Sequence, residues 1–395
     1  MAHVQPTDIY PPSDLAERRV TIRQALRTAM LLGNEDLRSD RLFNHLALQI
    51  FRYQVDANPV YRSLVQARHI DPSALTDWRD IPPVPARAFK ELPLLSQDPR
   101  PVEATFRTSG TTTGLIGRGV HQVRDLSLYR DSLISTATRY LRPELQAPNR
   151  SSADTSTRMR ILCLTPDLKE CPDSSLIYML HTWIDEWDDG GGCFLADPEW
   201  HVRTSDLREA IERSHLDKNQ VLIAGTAFSF MHVLDRISKE GFPPLTAGSM
   251  VVETGGFKGR SRTVSRVKLY KAIADAFGIS MARIVNEYGM TELLSQFYEP
   301  ILLENGPEDP ENRRHLGPPW VRTRILNPHT LHAVPSGHPG ILCHIDLANL
   351  DSVAMVLTED LAVAVGEGFR ILGRAQDATP RGCSLIMEEL LSISG

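Results

Sequence analysis

Four short apolar runs, set apart by stretches of helical spacing, constrain this chain more than any other feature. Ile161-Leu162-Cys163-Leu164 and Val221-Leu222-Ile223-Ala224 are unbroken apolar quartets, and Met250-Val251-Val252 and Arg283-Ile284-Val285 repeat the pattern. A strand buried on both faces reads as such a run, whereas a strand with one wet face alternates. Between the runs, Leu176 to Trp187, Ser205 to Ser214, Phe228 to Ser238 and Val264 to Phe277 carry apolar residues at helical intervals. That alternation predicts layered α/β architecture. Leu15 to Leu32 and Leu42 to Val65 also read as helices, and the proline-rich Ile81-Pro82-Pro83-Val84-Pro85 closes that part. Val321 to Val365 is strand-like, with turns at Pro335-Ser336-Gly337 and Pro339-Gly340, which suits a small antiparallel sheet or barrel. The expected organisation is a core over 1–373, with a helical part at 1–95, α/β sheets at 96–320 and a small β subdomain at 321–373. A short tail, 374–395, follows.

Composition removes several classes of function. The 395 residues are 42% hydrophobic and 23% charged, values of an ordinary globular chain. A net charge of -6 gives no general affinity for nucleic acid. The apolar runs fall far short of the roughly 20 residues of a membrane span. The start, Met1-Ala2-His3-Val4-Gln5, lacks a basic-then-apolar leader, and the five cysteines are scattered without a C-x-x-C pair. These features lead to the expectation of a cytoplasmic protein without a disulfide framework or zinc site.

Four motifs carry chemistry. Thr108-Ser109-Gly110-Thr111-Thr112-Thr113-Gly114, followed by Gly117-Arg118-Gly119, has the hydroxyls and glycines that wrap backbone donors around a phosphate. It fits neither a Walker A loop nor a dinucleotide fingerprint, and a plain surface loop is the competing reading. In Asn286-Glu287-Tyr288-Gly289-Met290-Thr291-Glu292, an aromatic beside glycine suits a base or a substrate tunnel. The adjacent hydroxyl and carboxylate suit an α-phosphate and a Mg²⁺ ion, although a helix cap at Thr291 is equally compatible. Glu253-Thr254-Gly255-Gly256-Phe257-Lys258-Gly259-Arg260 turns from a strand end through glycines into basic residues; a solvated turn is the alternative. Thr358-Glu359-Asp360, then Gly373-Arg374 and Asp377, offers an acid for two ribose hydroxyls.

Taken in order, these motifs resemble the adenylate-forming superfamily of acyl-CoA synthetases and adenylation domains. The chain is also similar, more narrowly, to the LuxE-like acyl-protein synthetase family. That resemblance is carried by Ile50-Phe51-Arg52-Tyr53-Gln54 with Asn58-Pro59-Val60-Tyr61, by the Ile81-Pro82 to Phe89-Lys90 stretch, and by Cys171-Pro172-Asp173-Ser174-Ser175-Leu176 and Gly225-Thr226. It continues through the Glu253 to Arg260 and Glu287 to Glu292 motifs, Ile345-Asp346-Leu347-Ala348-Asn349, Thr358-Glu359-Asp360 and Arg381-Gly382-Cys383-Ser384-Leu385. The phosphate loop departs from the superfamily pattern by an extra Thr and the lack of a Lys in its second half. The large C-terminal domain that brings a catalytic lysine in relatives is not expected in the 21 residues after Arg374.

The resemblance implies an αβαβα adenylate-forming core using ATP and Mg²⁺ to convert a carboxylic acid, a fatty acid in this family, to an acyl-adenylate with loss of pyrophosphate. The acyl group would pass to a cysteine, and then to an accepting protein such as a reductase or a carrier. Thr108, Ser109, Thr111 and Thr112, within the loop that includes Gly110 and Thr113, would grip the β,γ-phosphates. Gly255, Gly256, Asn286 and Tyr288 would hold adenine, in stretches that include Glu287, Gly289 and Met290. Thr291 would meet the α-phosphate, Glu292 the Mg²⁺ ion and Asp360 the ribose, with Arg374 close by. Cys383 would accept the acyl group, with Arg381 lowering its thiol pKa, and nine extended residues from Arg374 give it a reach of up to ~30 Å. Lys258, Arg260 or Arg374 would supply the positive charge that a mobile lysine brings elsewhere. Two alternatives stand beside this: a stand-alone adenylating enzyme feeding a carrier protein, CoA or an amine, and a non-catalytic nucleotide-binding subunit.

Overall fold

The structure, a computed structural model, describes residues 14–31, 35–108, 117–146, 159–237, 241–255, 264–304, 306–375 and 381–394. Two compact units share the chain: Met1–Ser135, Met290–Ser295 and Gly317–Gly395 make the first, Thr136–Gly289 and Gln296–Leu316 the second. In chain order come α1 (Leu15–Leu31), α2 (Asp40–Ala57), α3 (Pro59–Ala67), β1 (Val84–Pro85), α4 (Ala88–Glu91), β2 (Ala104–Arg107), β3 (Val120–Val123) and α5 (Leu126–Leu141). Next are β4 (Arg160–Cys163), α6 (Ser175–Trp187), β5 (Cys193–Phe194), α7 (Thr204–Asp217), β6 (Val221–Thr226), α8 (Ala227–Asp235), β7 (Met250–Thr254) and α9 (Arg266–Phe277). The chain ends with β8 (Ile284–Tyr288), β9 (Phe297–Tyr298), α10 (Ile301–Glu304), β10 (Val321–Leu326), β11 (Gly340–Asp346), β12 (Met355–Val365), β13 (Gly368–Arg374) and α11 (Arg381–Ser394).

The second unit is built on a sheet of order β5-β4-β6-β7-β8-β9, parallel from β5 to β8 and antiparallel at β9. All four apolar runs of the sequence became its central strands, and β4 and β7 are buried at every position. The four helical stretches became α6 to α9. Leu207 and Ile211 of α7, Phe230 and Val233 of α8, and Leu269, Ile273 and Phe277 of α9 close on Leu162, Ile223 and Val251 in one core. Each such side chain contributes about 1.5–3 kcal/mol by leaving water. Helix α8 starts cleanly because the Thr226 hydroxyl accepts the Ser229 N–H at 3.0 Å.

In the first unit β10, β11, β12 and β13 are antiparallel neighbours, and β1 adds to β12 in parallel, Val84 opposite Val356. The expected helix from Leu42 to Val65 is two helices. Asn58 leaves helical geometry and its side chain caps the Tyr61 N–H at 3.2 Å, while Pro59, lacking an N–H, sits at the first turn of α3 where none is needed. Gln54 donates to the Asn349 and Leu350 carbonyls at 2.7 and 3.1 Å and accepts the Ala354 N–H at 3.1 Å, tying α2 to the loop between β11 and β12. Arg19 of α1 reaches the same loop through Asp351 at 2.5 Å and also pairs with Asp125, between β3 and α5, at 3.2 Å. The family-like Gln54, Asn58 and Tyr61 are thus cap and strap residues. Among the described residues no helix is long and apolar enough to cross a membrane.

Candidate active site

Within the second unit, three motif segments end side by side. Gly225 pairs with Glu253 and Thr226 with Thr254, and Glu253 in turn lies opposite Asn286 and Thr254 opposite Glu287. These are the carboxyl ends of β6, β7 and β8, where open parallel sheets gather their loops and ligands. Gly255 leaves β7 at φ +71, a conformation that side chains rarely adopt. Gly256 and Lys258 lie outside the described residues, as does Arg260. Gly289 is glycine for space: a Cβ there would stand 2.5 Å from the Glu287 carboxylate, which accepts the Thr254 hydroxyl.

Asn286 is engaged on both sides, donating to the Glu253 carbonyl at 3.0 Å and meeting His315 Nε2 at 2.7 Å. Half-buried Tyr288 packs its ring 5.8 Å from Phe297 and 6.1 Å from His315. Beneath them lies an ionic network that sequence reasoning missed. Glu299, fully buried, pairs with Arg266 and, at 3.2 Å, with Arg313, and accepts the Asn286 N–H at 3.2 Å. Arg266 donates to the Tyr270 hydroxyl at 3.1 Å, and that hydroxyl donates to Glu253 at 3.2 Å. Glu299 stands 13 residues or more from each of its partners along the chain, and nothing local in the sequence signals them.

Burial pushes the Glu253 carboxyl from its ordinary 4.5 up to about 7, with Glu299 adding to the rise and Arg266, Tyr270 and Asn286 opposing it. The folded value exceeds the unfolded one, so this group contributes stability that is complete below pH 4.5 and lost as the pH climbs through 7. The span is worth about 3 kcal/mol. Urea midpoints for wild type and Glu253→Gln, measured between about pH 5 and about pH 8, should diverge, the wild type weakening relative to the variant as pH rises. Parallel curves would refute the assignment.

The first unit holds the remaining motif residues. Met290, Thr291 and Glu292 form a turn closed by Leu293 N–H to the Met290 carbonyl at 3.1 Å, so the alternative of a helix capped at Thr291 does not hold. The helix fails because the following donors point elsewhere: Leu294 N–H and Ser295 O–H both reach the Asp346 carboxylate, at 2.9 and 2.8 Å. Burial pushes Asp346 up to about 6, against the hydrogen bonds from Ser295, Ala348 and Leu294, so at neutral pH it is an accepting carboxylate. His121 Nδ1 donates to the Thr291 carbonyl at 2.7 Å, and burial lowers its pKa to about 4, which keeps the ring neutral.

Thr108 closes the neck of the β2–β3 hairpin: its N–H donates to the Gly119 carbonyl at 2.9 Å and its hydroxyl accepts the Gly119 N–H at 2.8 Å. The rest of that candidate phosphate loop, Ser109, Gly110, Thr111, Thr112 and Thr113, lies outside the described residues. Asp360 and Arg374 are brought together, as cross-strand neighbours on β12 and β13 with an ion pair of 3.5 Å. Cys383 is the third residue of α11, so the extended reach assigned to residues 374–383 does not apply to its last three, which rise only about 1.5 Å each. That helix is docked, with Ile386 and Leu390 buried and Glu389 paired to Arg68 of α3 at 2.9 Å. Of the aromatic residues after Thr226, Phe230 is core and Phe228 is exposed.

A family model described as acyl-protein synthetase, LuxE matches residues 204–392. A long-chain-fatty-acid–luciferin-component ligase of Aliivibrio fischeri is 25% identical over 187 residues, 44% of this chain and 47% of that protein. One of Vibrio harveyi is 21% identical over 376 residues, 88% of each chain. The first match thus spans about half the length of its relative. Among solved structures, an open 2-hydroxyisobutyryl-CoA ligase with 2-HIB-AMP and CoA aligns with a TM-score of 0.55 and 14% identity over 95% of this chain and 82% of that one. The same ligase in the postadenylation state aligns at 0.57 and 15%, over 95% and 74%. The chain is accordingly similar to LuxE acyl-protein synthetases over residues 204–392 and shares the fold of 2-hydroxyisobutyryl-CoA ligase.

Proposed function

We propose that the chain activates a carboxylic acid, of the long-chain fatty class, with ATP and then transfers the acyl group to a thiol. The observation that carries this reading is the register of Gly225-Thr226, Glu253-Thr254-Gly255 and Asn286 to Gly289 at one edge of a parallel sheet. In the first step a carboxylate oxygen attacks the α-phosphorus, the bond to the β-phosphate oxygen breaks, and pyrophosphate leaves. The barrier is the meeting of negative charges, which preorganised donors lower electrostatically. Thr108 and the loop after it bind the distal phosphates, Gly255, Gly256, Asn286 and Tyr288 the base, Thr291 the α-phosphate, and Asp360 the ribose. Asn286 is held rigid by Glu253 and His315, so it offers a fixed edge rather than an adaptable one. One buried carboxylate, Glu292, fits a Mg²⁺ ion that takes its other ligands from phosphate and water. Glu292 would hold that ion, which would supply charge neutralisation during the attack. Lys258 and Arg374 are the cations assigned to the role that a mobile lysine plays in relatives.

In the second step the Cys383 thiolate attacks the acyl carbon and the bond to AMP breaks. Its place in the first turn of α11 supports this, because the positive end of a helix favours a thiolate. A screen of acid-dependent ATP–pyrophosphate exchange across fatty, aryl and amino acids tests the first step. For the second, Cys383→Ser should retain exchange and lose covalent acyl label. A variant that still carries the label excludes Cys383 as the acceptor, and a wild type with no exchange for any acid ends the adenylation reading.

A further inference from the structure

The segment Ile345-Asp346-Leu347-Ala348-Asn349 has no part in the adenylation chemistry itself, yet it is built against the residues that carry it. It ends β11 and turns back on itself, with Asn349 N–H donating to the Asp346 carbonyl at 3.1 Å. Asp346, fully buried, accepts from Leu294 N–H, Ser295 O–H and Ala348 N–H at 2.9, 2.8 and 3.0 Å. Asn349, also fully buried, donates through Nδ2 to the Glu292 carbonyl at 2.7 Å and to the Val353 carbonyl at 3.2 Å. Ser295 is fixed from its other side by Ser132 and Trp320 Nε1, each at 3.0 Å. Buried polar groups are costly unless they are satisfied. The Asp346 carboxylate has three donors and the Asn349 amide two acceptors, while Asn349 Oδ1 has no partner among the described residues.

We propose that Asp346 and Asn349 are positioning residues that fix the backbone of Thr291 and Glu292 for α-phosphate and Mg²⁺ binding, an inference that rests on the adenylation reading. Neither touches substrate. Asn349 holds the Glu292 carbonyl and Asp346 anchors Leu294 and Ser295, so the segment is pinned at both places. A displacement of about 1 Å in reacting groups costs on the order of 10²-fold in rate.

The test uses the full chain with Asn349→Ala, Asn349→Asp and Asp346→Asn. Amide exchange at residues 291–295 should accelerate by about 10-fold or more while β11 and β12 keep wild-type protection. In ATP–pyrophosphate exchange, kcat should fall by about 10- to 100-fold with KM for the acid within about two-fold, a split that a general loss of stability does not give. Asn349→Asp keeps the shape and loses the donor, so it should behave as Asn349→Ala does. Should Asp346→Asn fail to fold, Ser295→Ala removes one of its bonds at lower cost. Wild-type amide exchange at 291–295 in these variants, or wild-type kcat, overturns the proposal. An inactive wild type overturns the adenylation reading instead, and with it the catalytic purpose of the clamp, while the amide arm still reports whether the segment is held.

Discussion

Glu292→Gln is expected to lower acid-dependent ATP–pyrophosphate exchange by about 10³-fold, a loss of about 4 kcal/mol in transition-state stabilisation. Glutamine keeps the volume of the buried side chain, and the bond from Asn349 goes to the Glu292 backbone carbonyl, which the substitution leaves in place. The change therefore removes a charge with little change of shape. Attack of a carboxylate on triphosphate concentrates negative charge, so an anion that retains Mg²⁺ beside the α-phosphate acts mainly on kcat and on the Mg²⁺ concentration needed for half-maximal rate. KM for the acid should move little, since the proposed role of Glu292 is to hold the metal and not the acid. Near-ultraviolet circular dichroism and thermal midpoint establish that the variant is folded. A folded Glu292→Gln protein with wild-type exchange and wild-type Mg²⁺ dependence removes Glu292 from the mechanism and the metal assignment with it.

What was legible in the sequence was what the chain encodes locally. The quartets at Ile161 and Val221 gave β4 and β6 because a doubly buried strand has no other composition, and Leu176 to Trp187 gave α6 within one residue. The split at Asn58 was missed although Pro59 announces it, since apolar spacing continues across the break. The prolines around β1 favour extended backbone, but its pairing could not be read: two residues in that stretch pair with Val356 and Leu357, far along the chain. The motif ends at Glu253 and Asn286 stood out from their residue types, but their hydrogen bond is a consequence of sheet register. Glu299, Arg266 and Arg313 were invisible, because isolated charges in unremarkable contexts reveal burial and pairing only when the fold closes on them. Asp346 and Asn349 were singled out by resemblance alone, and their hold on Glu292 to Ser295 is purely tertiary.

Glu299→Ala is expected to destabilise the second unit by about 3–5 kcal/mol, read as a lower urea midpoint with an unchanged slope. The size follows from the charge balance of the network. Arg266 and Arg313 face two carboxylates, but burial holds Glu253 up to about 7, so near neutral pH that group is partly protonated and Glu299 is the principal counter-charge. Arg313 spends its other donors on the carbonyls of Ile284, Met281, Pro307 and Glu308, at 2.7, 2.9, 3.0 and 2.8 Å, and cannot turn toward water without breaking them. Alanine would leave two guanidinium groups without that anion and the Asn286 N–H without its acceptor. Glu299→Gln retains an acceptor for that N–H but no charge, so it should fall between wild type and Glu299→Ala. A double-mutant cycle with Arg266→Met separates the pair from the cavity: the double variant should be more stable than the sum of the single losses predicts, by about 1 kcal/mol or more. Strict additivity would mean that Glu299 and Arg266 are not coupled, and a Glu299→Ala midpoint equal to that of wild type would mean that Glu299 contributes nothing to stability.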